Sequence, residues 1–304
     1  MKKKLVLLGP TGVGKTALAV EIALEWNAEI ISSDSMQIYE GMRIGTACPS
    51  NEMMKIVPHH LIGFLSPFEK YNAKRYLEDA TRIIQDVQAR HKNVVITGGT
   101  GLYLKSLLLG LLPDESDDAL IREQLEERVR IEGINPLREE LKKADPEKYS
   151  QFPPNDHRRI IRAMSYYYSH GKPISSMQTQ WISPVPDEFI LAGLSMDRQE
   201  LYRRLDKRVD SMVQEGLLEE VKALLAMKVP PDAVCWQAIG YKQLLKHLQG
   251  EYSFDKAVEL IKRDSRHFAK RQWTWFNKMK DIHWFDMDSQ SVKEQILNLL
   301  DLKT

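Results

Sequence analysis

Residues 8–19 of the chain read LGPTGVGKTALA, and this stretch decides the fold. It satisfies the pattern GxxxxGK[ST] directly after the apolar run Leu5–Leu8 and before a helical pattern. In that setting the backbone N–H groups of the loop and the N-terminus of the helix face an anion, the lysine adds a positive charge, and the threonine hydroxyl can bind Mg²⁺. The stretch therefore predicts a phosphate-binding loop formed by Gly9, Pro10, Thr11, Gly12, Val13, Gly14, Lys15 and Thr16.

Short apolar runs elsewhere have the pattern of buried strands, and long helical patterns separate them. These runs are Ile30–Ser32, Val94–Thr97, Phe189–Leu194 and Ile282–Phe285. The alternation predicts an α/β fold, a mostly parallel sheet flanked by helices as in P-loop NTPases, which binds ligands beyond the carboxyl ends of its strands. The phosphate-binding loop follows one of these ends.

The chain between the third and fourth predicted strands is far longer than a single crossover helix requires. Three helical patterns with Asp, Pro or Gly at their borders fill it. We therefore predict an inserted all-helical subdomain at 113–186 and a P-loop core domain formed by 1–112 plus 187–304. The core includes a second helical segment, 215–280, within which Gly250 is expected to end a helix.

Composition limits the possible function classes. The 304 residues carry a formal net charge of +1, so any nucleic-acid-binding surface has to be local. Cys48 and Cys235 lack CxxC spacing, which argues against a zinc ribbon and against a disulfide framework. The first apolar run continues into the phosphate-binding loop and is interpreted as a strand, and no apolar run reaches the about 18 residues of a transmembrane helix. We expect a soluble cytoplasmic protein.

The loop alone leaves open whether its phosphates are transferred or released. A P-loop ATPase places an acidic residue at the end of a neighbouring strand to hold Mg²⁺, whereas NVVITGGTGLY, residues 93–103, has Thr and Gly there. The nearest carboxylate is Asp34, after the second strand. It could act as metal ligand, substrate orienter or general base, or it could cap the following turn. Ser35 and Gln37 offer a hydroxyl and an amide that suit the edge of a base.

Two further features follow predicted strands. Thr100 can hydrogen-bond a substrate or cap the next helix, and the glycines beside it allow close backbone approach. Arg204 and Arg208 are four residues apart on the helix after the fourth strand, where they are either solvated or a clamp for phosphate.

Two local basic clusters suggest a clamp for RNA. One is the α-helical pattern IKRDSRHFAKRQWTWFNKMK, residues 261–280, and the other is NDHRRIIRAM, residues 155–164, at a helix N-terminus. The adjacent pair His59 and His60 lacks the spacing of helical metal ligands and is interpreted as a loop or core feature.

Seven motifs together resemble, in order and spacing, the bacterial tRNA dimethylallyltransferases. They are GPTGVGKT (9–16), ISSDSMQIYEGMRIGTA (31–47), PHHLI (58–62), ITGGTGLYLKSLL (96–108), PNDHRRIIRA (154–163), AIGYKQ (238–243) and AKRQWTWF (269–276). The resemblance covers about 4–284. The sequence around Asn155 and Asp156 differs from the one usual in this family. The zinc finger of the family's eukaryotic members is absent.

The resemblance implies transfer of a dimethylallyl group from dimethylallyl diphosphate to the exocyclic amine of the adenosine 3′ to the anticodon. It implies that Asp34 is the catalytic base, that Thr100 lies near the target nucleotide, and that Arg208, with the phosphate-binding loop and Mg²⁺ on Thr16, stabilises the departing diphosphate. The residues expected to contact the tRNA anticodon stem-loop are Asp34, Ser35, Met36, Gln37, Thr100, Arg122, Asn155, Asp156, His157, Arg158, Arg159, Arg263, Arg266, Lys270 and Arg271.

Three alternatives remain at this point. A P-loop small-molecule or nucleotide kinase would bind and consume ATP. An enzyme that prenylates free adenine nucleotides would not need the insertion or the basic clusters. An RNA-binding NTP sensor would not need Asp34 as a catalytic base. The resemblance alone implies a monomer without a stable protein partner.

Overall fold

The computed structural model describes residues 3–111, 119–176 and 185–303. Within these residues six strands form one sheet in which every pairing is parallel, in the order β3-β2-β4-β1-β5-β6. The strands are β1 Lys4–Leu8, β2 Ala28–Ser32, β3 His59–His60, β4 Asn93–Thr97, β5 Phe189–Ser195 and β6 Ile282–Asp286. The predicted α/β fold with a mostly parallel sheet is confirmed.

The five predicted strands are present, and each is one or two residues longer than its apolar run. The expected loop at His59 and His60 is wrong, because these residues form the edge strand β3 and pair with Ile30 and Ile31 of β2. A strand of two residues has no apolar alternation that a sequence pattern could reveal.

The helices are α1 Lys15–Glu25, α2 Asn51–Ile56, α3 Ala73–Ala89, α4 Gly101–Leu109, α5 Ala119–Glu132, α6 Asn135–Ala144, α7 Pro146–Gln151, α8 His157–His170, α9 Arg198–Gln214, α10 Leu217–Ala226, α11 Tyr241–Leu248, α12 Phe254–Phe276 and α13 Val292–Lys303. The predicted segment 215–280 thus contains α10, α11 and α12, with a 3₁₀ turn at Val234–Gln237. Gly250, with a φ of 81°, follows the end of α11 as expected.

The chain divides into two compact units. Unit 1 contains Met1–Leu108 and Val185–Thr304, and its core is built where α1, α9 and α13 cover one face of the sheet. Leu5 and Leu7 of β1 and Ile22 of α1 are fully buried in this core. The covered sheet holds the carboxyl ends of its strands in a common row, beyond which the loops of the candidate site lie.

Unit 2, Leu109–Pro184, is all-helical within the described residues and has its own core, which includes Leu137, Leu141 and Ile160. The sequence analysis placed its borders at 113 and 186; residues 112–118 and 177–184 lie outside the described part of the chain. The second of the three helical patterns predicted in the insertion, residues 135–152, forms two helices, α6 and α7. The break occurs at Asp145, whose carboxylate accepts a hydrogen bond from Lys148 N and caps α7, with Pro146 at its first position.

None of the helices in the described ranges combines the length and the apolar character needed to cross a bilayer.

Candidate active site

The phosphate-binding loop connects β1 to α1. At two of its glycines the surrounding atoms lie too close for any side chain. At Gly9 a Cβ atom would lie 2.7 Å from the carbonyl oxygen of Leu194, and φ is +143°. At Gly12 a Cβ atom would lie 2.8 Å from the Leu205 side chain. Gly14 provides no side-chain cap for α1, so the first N–H groups of this helix stay available to an anion.

Lys15 lies over this loop. Its Nζ donates hydrogen bonds to the carbonyl oxygens of Gly9 and Pro10, at 2.8 and 2.9 Å. Burial lowers the pKa of Lys15 to about 7; the Asp34 carboxylate opposes this shift, and the guanidinium of Arg208 adds to it. A phosphate bound at the loop would favour the charged form of this amine.

Of the two arginines predicted on α9, one reaches the loop. Arg208 donates a hydrogen bond from Nη1 to Thr11 Oγ1, at 3.2 Å, and its burial lowers the pKa of the guanidinium while Asp34 raises it. Arg204 is exposed and pairs with Glu200 on its own helix, Nε to Oε1 at 2.9 Å. Only Arg208 of the pair forms a hydrogen bond with the phosphate-binding loop, and both arginines line the cavity beside it.

Asp34 follows β2, and part of its side chain caps the next turn. Its Oδ1 accepts hydrogen bonds from the N–H groups of Met36 and Gln37, at 2.9 and 3.3 Å. Its Oδ2 accepts no hydrogen bond from the described residues. The two roles considered for this carboxylate are therefore compatible, because one oxygen holds the turn and the other is left for a substrate or a metal.

Thr100 directly precedes α4, and its carbonyl oxygen accepts a hydrogen bond from Leu104 N at 3.2 Å. Its Oγ1 accepts a hydrogen bond from Ser35 N at 2.9 Å and donates one to Ser35 Oγ at 3.2 Å. Thr100 thus lies at the N-terminus of α4, as the cap considered from sequence requires, but its side chain fixes the residue next to Asp34.

Gln37 also holds this region together. Its Nε2 donates to the carbonyl oxygens of Thr46 and Ala47, both at 3.2 Å, and its Oε1 accepts from Ser32 Oγ at 3.1 Å. Both ends of the amide form hydrogen bonds within the protein, and the second lone pair of Oε1 is what remains for the edge of a base.

Two cavities meet at the carboxyl ends of the strands. The larger, ≈ 580 Å³, is lined by the loop residues Gly12, Gly14, Lys15 and Thr16 among others. The smaller, ≈ 250 Å³, has a wall formed by Ser35, Met36, Thr100, Phe268 and Arg271. Both cavities are lined by Thr11, Asp34, Thr46, Arg208 and Met212. Asp34 therefore lies where the larger cavity, which the phosphate-binding loop lines, adjoins the smaller one.

The described residues contain no group of three or more His, Cys, Asp or Glu side chains that could bind a metal ion by themselves. The Thr16 side chain and the Asp34 carboxylate both line the larger cavity. Hydroxyl and carboxylate oxygens are ligands that suit Mg²⁺, which commonly takes its remaining ligands from phosphates and water. The residues present therefore fit such an ion beside a bound diphosphate.

Two residues that hold the site were missed by sequence reasoning. Gln272 on α12 bonds to the phosphate-binding loop through Thr11 and to the turn after β4 through Gly99. Glu220 on α10 accepts the backbone N–H groups of Arg43, Ile44 and Gly45, and Tyr241 donates its hydroxyl to it. Gln272 lies inside a quoted motif, which was its one signal in the sequence, and Glu220 had none.

The predicted basic surface of α12, named here the α12 surface, consists of Arg263, Arg266, Lys270 and Arg271. Arg263 pairs with Asp264 and Arg266 with Asp206. Lys270 is exposed and forms no ion pair with the described residues, and Arg271 lines the smaller cavity with its guanidinium 5.7 Å from the Phe268 ring. The surface therefore contains both neutralised and unpaired cations.

The predicted basic cluster of unit 2, named the α8 surface, is Asn155, Asp156, His157, Arg158 and Arg159. The expected helix N-terminus is present: α8 begins at His157, and Asp156 caps it by accepting a hydrogen bond from Arg159 N at 3.2 Å. Asn155, His157, Arg158 and Arg159 are exposed. Arg122 on α5 differs, because its Nε is buried without a hydrogen-bond partner among the described residues.

The sequence model of the IPP transferase family matches residues 37–279. The chain is 44% identical over 296 residues to a tRNA dimethylallyltransferase of Thermotoga petrophila and 41% identical over 302 residues to one of Acetivibrio thermocellus. These alignments cover 96% and 99% of this chain and 96% of each relative.

Solved structures agree with these relatives. The full-length tRNA isopentenylpyrophosphate transferase of Bacillus halodurans superimposes with a TM-score of 0.74 at 37% identity, covering 100% of this chain and 98% of that one. A eukaryotic dimethylallyltransferase acting on tRNA gives a TM-score of 0.85 at 29% identity, covering 99% of this chain and 79% of its own. Sequence and structure lead to the same conclusion, that this chain belongs to the IPP transferase family.

Proposed function

We propose that this protein transfers a dimethylallyl group from dimethylallyl diphosphate to the exocyclic amine of the adenosine immediately 3′ of the anticodon in tRNA, with release of diphosphate. The observation that carries the proposal is the position of Asp34, which lines both the cavity with the phosphate-binding loop and the neighbouring one. Membership of the IPP transferase family supports this assignment over phosphoryl transfer.

The larger cavity suits the diphosphate of the donor. The N–H groups from Gly12 to Thr16, the Lys15 amine and the Arg208 guanidinium surround a space in which negative charge accumulates as the bond from the allylic carbon to oxygen breaks. Thr16 would hold Mg²⁺ there together with oxygens of the diphosphate and water, and this ion, when bound, would neutralise part of the charge on the leaving group.

The smaller cavity suits the acceptor. The amine of adenine is a weak nucleophile because its lone pair is delocalised into the ring, and its attack on the allylic carbon builds positive charge on nitrogen. As the new bond between nitrogen and carbon forms, Asp34 accepts the proton that nitrogen loses, through the oxygen that does not cap the turn. Thr100 positions this carboxylate through Ser35.

A base stacked in an anticodon loop cannot enter a cavity of this kind, so the adenosine has to leave its stack. Phe268 and Arg271 line the smaller cavity and offer an aromatic face and a planar cation, both of which stack well on a base. The α12 and α8 surfaces supply exposed cations for the RNA backbone.

The experiment that tests the proposal is incubation with dimethylallyl diphosphate, Mg²⁺ and unmodified tRNA, followed by mass analysis of the nucleosides. A prenylated adenosine together with free diphosphate is expected. If no prenylated adenosine forms, the proposal fails. Consumption of ATP with a phosphorylated product would establish the kinase alternative.

Two expectations of the sequence analysis stay predictions within this proposal: the protein is a monomer, and it acts in the cytoplasm.

A further inference from the structure

We infer that Gln272 is a positioning residue of this reaction, which sets the phosphate-binding loop against the turn that carries Thr100. This inference rests on the proposed function for its activity readout. The side chain lies on the inner face of α12 and is only 5% exposed. Its Oε1 accepts a hydrogen bond from Thr11 N at 2.7 Å, and its Nε2 donates one to Gly99 O at 2.9 Å.

An uncharged amide is required at this place. The N–H group of Thr11 needs an acceptor and the carbonyl of Gly99 needs a donor, and Gln272 provides both from one planar group. A carboxylate would lack the donor, and an ammonium would lack the acceptor.

The backbone around Gln272 is shaped to admit it. A Cβ atom on Gly99 would lie 2.1 Å from the amide nitrogen of Gln272, and one on Gly101 would lie 2.6 Å from the ring of Trp275. The chain between the end of β4 and the start of α4 therefore has glycine at two positions where α12 packs closely against it.

Both residues that Gln272 holds lead directly to the reacting groups. Thr11 also accepts a hydrogen bond from Arg208, and Thr11 and Arg208 line both cavities. Thr100, next to Gly99, binds Ser35, the residue that follows Asp34. The bridge thus fixes the diphosphate side of the site relative to the base, and a shift of about 1 Å between such groups costs about 10²-fold in rate.

The test is a double-mutant cycle between Gln272→Ala and Gly99→Ala. Gly99→Ala leaves Gln272 intact but pushes its amide aside, and Gln272→Ala removes the bridge and makes room for the new methyl group. We expect each variant to lower kcat by about 10- to 100-fold at saturating substrates. We expect the double variant to be no worse than the poorer single one, because both act on the same bridge. Losses that multiply would overturn the inference.

The matched control is Gln243→Ala on α11. Gln243 is also buried, and it too makes two bridging hydrogen bonds, to Gly240 N and Asp264, but it contacts neither the loop nor the turn. The Gln243→Ala substitution should lower the melting temperature about as much as Gln272→Ala does, while its kcat stays within about threefold of wild type. Equal kcat losses in the two variants would mean that Gln272 acts through stability alone.

A binding measurement separates failure of this inference from failure of the proposed function. Calorimetric titration with inorganic pyrophosphate reports on the phosphate-binding loop without turnover. The pyrophosphate affinity of Gln272→Ala should be about 3- to 10-fold weaker than that of Gln243→Ala. If wild type forms no prenylated adenosine, this comparison alone decides, and unchanged pyrophosphate affinity refutes the inference.

Discussion

The two cations beside the phosphate-binding loop lie in an environment opposite to that of the exposed cations on the two basic surfaces. Lys15 and Arg208 are partly buried, each bonds to the phosphate-binding loop, and burial lowers the pKa of each. Arg158 and Lys270 are exposed and have no ion pair among the described residues. A buried cation costs solvation energy that a bound anion offsets, whereas an exposed one costs little and contributes little by itself. Single substitutions should therefore have large effects in the cavities and small, salt-dependent effects on the surfaces.

The largest effect is expected from Asp34→Asn. The amide oxygen can still accept the hydrogen bonds from Met36 and Gln37, so the turn keeps its cap while the proton acceptor is lost. Rapid-quench measurement of prenyl transfer should show kcat reduced by about 10²- to 10⁴-fold. The melting temperature and tRNA affinity should stay near the wild-type values. Near-normal turnover in this variant would leave the carboxylate with the capping role alone.

Lys15→Met should have the next largest effect, a loss of about 10- to 100-fold in pyrophosphate affinity, because it removes charge-assisted hydrogen bonds. The pKa of about 7 adds a pH dependence. Pyrophosphate binding favours the protonated amine, so the contribution of Lys15 is greatest below about pH 7, and above it binding has to take up a proton.

Calorimetry in buffers of different ionisation enthalpy measures this proton uptake. Lys15→Met provides the baseline, since pyrophosphate itself also titrates. If wild type and Lys15→Met took up the same number of protons near pH 8, the lowered pKa would play no part in binding.

Some of the residues that build the cavity walls could be predicted from the sequence, and others could not. The strand, loop and helix around residues 9–16 were predictable because they follow one another locally and their residue types match a known pattern. Gln272 and Glu220 were not, since their hydrogen bonds to the backbone of the site loops join residues more than 170 positions apart. Only its place in a motif marked Gln272, and nothing in the sequence marked Glu220. For Thr100 the sequence offered a substrate contact or a helix cap, and it could not reveal the hydrogen bond from Ser35 N, which joins residues 65 positions apart.

The α12 surface was predicted as a uniform cluster, and the structure divides it. Charge along a helix can be read from sequence, but the carboxylates that neutralise Arg266 and Lys262 come from Asp206 and Asp210 on α9. Which cations stay available is thus a tertiary property.

Glu220→Gln should have a moderate effect on the cavity walls. Three backbone N–H groups of the loop at 43–45 would lose a charged acceptor, and the new amide nitrogen would face donors. Urea denaturation should show the free energy of unfolding lowered by about 1 to 3 kcal/mol, with turnover reduced only a few-fold. Glu219→Gln is the control, because Glu219 lies on the same helix and forms an exposed pair with Lys222. Equal stability in the two variants would contradict the anchoring role of Glu220.

The smallest effects are expected on the basic surfaces, where Lys270→Ala and Arg266→Ala differ in a defined way. Lys270 has no ion pair among the described residues, so its contact with an RNA phosphate would release counterions and contribute about 0.7 to 0.9 to the slope of log affinity against log salt. Arg266 is bound to Asp206 and has to break or share that pair to reach RNA. tRNA binding measured from low to high salt should therefore show a shallower slope for Lys270→Ala and a nearly unchanged one for Arg266→Ala. The opposite order would mean that the ion pair opens on binding, and that exposure without a partner is a poor guide to which cations of this helix meet the RNA.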